Sequence, residues 1–189
     1  MILISFCLLF LVFIGVKAQV QTPQPSPSAT LNQVVGLTNF EIKYSRPSMN
    51  DREIFGGLVP YNKLWRTGAN ANTTISFDQD IKISNLPVKA GIYALYTRPG
   101  KKSWEIYLYD KTDNWGLPQN WDDSKIVLET KIESNKLPKL VESFTIDFNH
   151  FNKETAHLIL QWENTAVNIP IKVPTDKMVM ASIDKAMSN

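Results

Sequence analysis

The chain has 189 residues, with 20 lysines and arginines against 18 acids and a formal net charge of +2. Neither a basic stripe nor a run of like charges occurs, which argues against nucleic-acid partners and electrostatic membrane binding. The single cysteine, Cys7, lies in the first apolar segment, so the rest of the chain has no disulfide, thiolate metal site or cysteine nucleophile.

Residues 1–18, MILISFCLLFLVFIGVKA, form an apolar run ending in small residues. The pattern predicts a signal peptide cleaved near Ala18, shorter than a comfortable bilayer span. It implies export to the periplasm or the medium, with no membrane attachment after cleavage. Residues 19–30 hold three prolines among Gln, Ser and Thr and read as an extended linker.

From Leu31 to residue 174 the texture is that of one β domain, with short apolar alternations separated by Gly, Pro, Asn and Asp. Phe40, Ile42 and Tyr44 alternate with Glu41 and Lys43 and stop before Pro47. Ile75 and Phe77 alternate with Thr74, Ser76 and Asp78, and Ile81 and Ile83 resume the pattern. Ile92–Thr97 and Trp104–Tyr109 predict a hairpin about Pro99-Gly100. Ile126–Ile132 and Phe144–Phe148 predict two further strands. His157–Trp162 and Val167–Val173 supply the last two, divided by a turn at Glu163-Asn164-Thr165. Eight or nine such strands without a βαβ rhythm predict an all-β fold, an antiparallel sandwich or jelly-roll-like arrangement. Residues 175–189 predict one short C-terminal helix. Asp176 suits its N-terminal end, and Val179, Ile183 and Met187 form an apolar stripe that either packs on the sheet or docks a protein partner.

Arg46, Arg52 and Arg66 are three of only four arginines, and all lie in the irregular stretch between the first two clear strands. Guanidinium groups suit carboxylates and phosphates, aromatic neighbours supply stacking, and Gly68-Ala69-Asn70 allows close backbone approach to an anion. The candidate ligand-binding residues are therefore Arg46, Tyr61, Trp65, Arg66 and Asn70, for a small polar or anionic ligand. The architectural alternative pairs these arginines with internal acids such as Glu53 or Glu163.

A second cluster, Asp113 to Asp123, carries Trp115 and Trp121 among acids and amides, the composition of a sugar-binding face. It supports an alternative function as a hydrolase or carbohydrate-binding module for cell-envelope glycan, with Asp113 and Asp122 as its acids. The spacing of Asp110, Asp113, Asp122 and Asp123 matches neither a calcium loop nor a glycosidase pair. His150 and His157 flank Phe151 with no carboxylate pattern predicting a shared metal, so no metal centre is expected. With no GxSxG elbow, P-loop or dinucleotide fingerprint, no catalytic motif supports an enzyme, and no cofactor is expected. Asn72-Thr73-Thr74 is a glycosylation sequon, meaningful only on a eukaryotic secretory route.

The segments YSRPS (Tyr44 to Ser48), IFGGLVPYNKLWRTGANANTTISF (Ile54 to Phe77), AGIYALYTRPG (Ala90 to Gly100) and LQWENTAVNIPI (Leu160 to Ile171) resemble the domain-of-unknown-function family 2911. The resemblance runs in order through residues 30–173. It implies an exported bacterial protein with a β-rich domain and no established activity. It further implies that TDKMVMASIDKAM is similar to the start of a helical extension. Where relatives carry an acid after the Gly-Ala-Asn triplet, this chain has Ala71-Asn72; a catalytic role for that acid elsewhere would count against an enzyme here.

Overall fold

The computed structural model describes residues 22–188. The expected signal peptide, residues 1–18, and the first three linker residues lie outside them. The strands are β1 (Ser28–Val35), β2 (Thr38–Ser45), β3 (Thr73–Phe77), β4 (Ile81–Ile83), β5 (Leu86–Val88), β6 (Gly91–Pro99), β7 (Ser103–Tyr109), β8 (Ile126–Asn149) and β9 (Thr155–Lys172), followed by α1 (Thr175–Met187). Their hydrogen-bonded order is β1-β2-β3-β6-β7-β8-β9-β4-β5, and every named pairing is antiparallel. The expected all-β class with one short C-terminal helix is the observed one.

Layering comes from two very long strands. The start of β8 pairs with β7, and the remainder pairs with β9, with register shifts between Lys136, Val141 and Thr145. Such irregularities bend a ribbon and increase its twist. The two strands expected at Ile126–Ile132 and Phe144–Phe148 are thus one, and so are the two expected on either side of Glu163. Glu163 adopts φ 53° within β9, a kink in place of a turn. The bend brings β8 back over β2, where Phe40 meets Phe148 at 5.2 Å and Tyr44 meets Phe144 at 5.9 Å between ring centroids.

Backbone hydrogen bonds close this second layer on the first. Met49 N–H donates to Glu142 O, Phe144 N–H donates to Pro47 O, and Ile146 N–H donates to the Tyr44 hydroxyl. The two ends of the hydrogen-bonded order are β1, which alternates half-buried and exposed side chains, and β5, which carries Pro87. Short, polar or proline-bearing edges resist further strand pairing. β1 begins at Ser28, three residues before the composition changes, because Ser28–Thr30 pair with Lys43–Ser45 through backbone groups that composition does not record.

Alternation on β2 follows the sequence pattern, with Phe40, Ile42 and Tyr44 buried and Glu41 and Lys43 directed outward. β6 is buried on both faces. Its Tyr93 and Leu95 enter the main core, whereas Ala94 and Tyr96 join Tyr107 and Tyr109 in a second cluster on the opposite face. The 110–125 loop covers that second cluster. Trp121 stacks on Tyr109 at 4.5 Å and meets Tyr96 and Tyr107 edge-on.

Candidate functional site

Between β2 and β3 the chain makes a 46–72 excursion rich in left-handed backbone: Asn50, Asp51, Asn62, Thr67 and Asn70 all have φ between 48° and 59°. For a β-branched residue such as Thr67 this region is strained. Side-chain and backbone contacts hold it in place. The Thr73 hydroxyl donates to Thr67 O at 2.6 Å, and the Thr67 hydroxyl donates to that of Thr97 at 3.1 Å. Trp65 anchors the excursion from inside. Its ring is stacked on Trp162 at 5.9 Å and edge-on to Phe144, and its indole N–H donates to Gly68 O at 3.0 Å.

Over this anchor lies a cleft of about 350 Å³. Arg52, Leu58, Arg66 and Ala69 line it, Trp65 and Trp162 back it, and Pro25-Ser26 of the incoming chain forms one wall. Arg52 donates from Nε to Met49 O at 2.8 Å and from Nη2 to Ser48 O at 2.7 Å. Arg66 donates from Nη1 to Asn70 O at 3.0 Å. All three acceptors are neutral carbonyls. Among the described residues no salt bridge includes Arg46, Arg52 or Arg66; the remaining arginine, Arg98, pairs with Glu105 at 2.7 Å. Of the acids suggested as their partners, Glu163 accepts the Ile54 N–H with its carboxylate, and neither it nor Glu53 forms a salt bridge with an arginine among the described residues.

The cleft therefore carries two guanidinium charges uncompensated by carboxylates, with Arg52 Nη1 and Arg66 Nε and Nη2 making no hydrogen bond to the described residues. Donor forks of this kind pair with carboxylate or phosphate.

The residues singled out from sequence separate in space. Arg66 lines the cleft and Trp65 backs it. Trp65 is only 8% exposed and is stacked on Trp162, and its indole N–H holds the Gly68 loop, so most of its ring serves the core. Asn70 acts on the chain's own tether, its Nδ2 donating to Ser26 O at 3.2 Å and Ser45 Oγ at 3.3 Å. Arg46 turns to the second layer, donating to Phe144 O and to Thr145 Oγ1. Tyr61 lies apart from the cleft lining, with the Lys101 ammonium 5.8 Å from its ring centroid. Arg52, Leu58 and Pro25-Ser26 are among the further residues that line the cleft. Arg52 was legible as part of the arginine cluster, but no local pattern marks the other three.

The tryptophan loop is differently built. Trp121 is taken up by the tyrosine cluster, and its indole N–H donates to Asp123. Trp115 is 76% exposed. The Asp122 carboxylate accepts the Ser124 N–H and hydroxyl, and these bonds hold it below the usual carboxylate range. Asp113 lies 3.8 Å from the Lys111 ammonium. A glycosidase acid needs the opposite, a carboxyl raised by burial or by a like charge. Gly116 ties this loop to the cleft: a Cβ there would stand 2.8 Å from Arg66 Nη1.

Asn72 of the sequon is 5% exposed, its side-chain N–H donating to Thr73 O. Among the described residues no helix is long and apolar enough to cross a membrane, and no group of three or more His, Cys, Asp or Glu is placed to hold a metal ion. No curated protein and no solved structure matches the chain. A family model does match, over residues 26–171: the chain belongs to the family described as Protein of unknown function (DUF2911).

Proposed function

We propose that this is an exported binding domain, periplasmic or secreted, whose arginine cleft takes a small anionic ligand with an apolar body. The observation that carries this reading is the pair Arg52 and Arg66, which face one cleft, donate only to carbonyls and keep donors in reserve. Apolar side chains, Leu58 and Val59 among them, suit the uncharged part of the ligand. The apolar leader at residues 1–18 supports export. Mass spectrometry of the protein recovered from its host tests that part; export with cleavage predicts a chain beginning at Gln19.

The binding test is a thermal-shift and calorimetry panel on the full chain with benzoate, phenyl phosphate, inorganic phosphate and the uncharged benzamide. An anion at about 100 times its dissociation constant adds roughly 2.7 kcal/mol, and each kcal/mol moves the midpoint by about 2–4 °C for a chain of this size. Stabilisation by an anion, absent with benzamide and lost in Arg66→Met, supports the reading. Anion binding that survives both Arg66→Met and Arg52→Met, or no anion binding at millimolar concentration, overturns it.

A second reading, weak association of two copies through α1, rests on Val179, Met180, Ile183 and Met187, which are exposed on that helix. Lys177 and Asp184, seven residues apart, share one flank of the stripe. In an antiparallel pair each Lys177 meets Asp184 of the other copy, giving two complementary contacts. The stripe offers only four exposed apolar side chains, few against the roughly 20–30 residues a side of a standard interface, so the dimer would be transient. Sedimentation velocity should show concentration-dependent association abolished by Ile183→Asp. A monomer throughout the millimolar range removes this reading.

A further inference from the structure

The chain's only two histidines stand seven positions apart, and the β8–β9 hairpin brings their rings together. His157 on β9 is paired in register with Asn149, the last residue of β8. His150 follows at φ 54°, a left-handed turn supported by its N–H donating to Asn149 Oδ1. The imidazole centroids stand 5.1 Å apart with the planes at 55°. Two imidazole nitrogens each about 2.1 Å from a shared ion, at about the tetrahedral angle, put the ring centroids about 5 Å apart. The observed spacing leaves room for one shared ion, and it is also within the range of ordinary ring packing.

A second observation is the state of His157. Its Nδ1 is shielded from solvent and has no hydrogen-bond partner. A buried polar atom of this kind calls for an explanation. The nearest acid on the same face of β8 by register is Asp147, whose Oδ1 accepts the Phe148 N–H. No third His, Cys, Asp or Glu joins the pair among the described residues, so an ion held there would need solvent for its remaining positions.

We propose that His150 and His157 form a two-histidine chelate for one divalent transition-metal ion, with Cu²⁺ held more tightly than Ni²⁺ or Zn²⁺. The preference follows from imidazole donors and the general order of divalent affinities. The site lies in the β8–β9 hairpin and shares no residue with the arginine cleft, so it stands or falls independently of the anion reading.

The test is titration of the full chain with Cu²⁺, Ni²⁺ and Zn²⁺ in a non-coordinating buffer, by calorimetry and by electron paramagnetic resonance of the Cu²⁺ form. One Cu²⁺ per chain with two coordinated imidazole nitrogens is expected, together with at least tenfold weaker binding in His150→Ala. His150 is exposed, so that variant keeps the fold, and far-UV circular dichroism checks it. Equal affinity in His150→Ala overturns the proposal. So does a spectrum of the unmodified chain showing one imidazole or none, which needs no variant at all.

Discussion

Gly68 stands at φ +151°, and a Cβ placed on it would lie 3.0 Å from Ser45 O and 3.1 Å from Thr73 Oγ1. Neither neighbour yields easily. Ser45 O belongs to the end of β2, and Thr73 Oγ1 is tied to Thr67 O by a 2.6 Å hydrogen bond. In Gly68→Ala the backbone strain contributes about 1–3 kcal/mol, and the crowding a similar amount before relaxation. Because one small backbone shift relieves part of both, the expected net loss is roughly 2–4 kcal/mol. For a chain of this length that lowers the thermal midpoint by roughly 4–16 °C.

Urea unfolding followed by tryptophan fluorescence measures the effect directly, since Trp65, Trp104 and Trp162 are buried in one cluster. The transition midpoint should fall with an unchanged slope, the signature of altered stability without an altered unfolded state. The same variant should weaken anion binding, because Gly68 lines the cleft and its carbonyl receives the Trp65 indole N–H. A loss of stability below about 0.5 kcal/mol, within the ordinary range of surface substitutions, would refute the claim that this position requires glycine.

Arg46→Ala removes two hydrogen bonds to the second layer and should cost about 1–3 kcal/mol in chemical denaturation; anion affinity in the same variant should stay within twofold, since Arg46 does not line the cleft. Trp121→Ala strips the cover from the tyrosine cluster and should lose about 2–3 kcal/mol with increased binding of a hydrophobic dye, whereas Trp115→Ala, at an exposed position, should change stability by less than about 0.5 kcal/mol. Asp80 is held below its ordinary value of 3.8 chiefly by hydrogen bonds from Lys89 and from the Ala90 N–H. A carboxylate depressed in the folded state stabilises it above the unfolded value and ceases to do so as pH falls through the folded one. Asp80→Asn should therefore flatten the acid limb of a stability profile measured below pH 4, and an unchanged limb would count against the assignment.

Period-two alternation in Phe40–Tyr44, in Ile75–Phe77 and in the Ile92–Leu108 hairpin was enough to establish an antiparallel all-β domain, because a pleated strand sends successive side chains to opposite faces. The C-terminal helix was legible for the parallel reason, a repeat of about 3.6 residues. The arginine cluster was legible as unusual composition. Continuity of β8 and β9 was not, since the polar stretch Glu133–Ser143 reads as loop and its strand character comes from pairing with β9. The double burial of β6 predicts strand but says nothing of a second cluster under Trp121. Which arginine meets a cleft, and which clasps a layer, depends on where the ribbon bends. Likewise His150 and His157 become neighbours only through hairpin register. The sequence by itself determined the local periodicities and the chemical inventory, for both are properties of adjacent residues; the pairing of Arg52 with Arg66 and of the two histidines was decided by long-range contacts, which exist only once the ribbon has curled and the layers have closed.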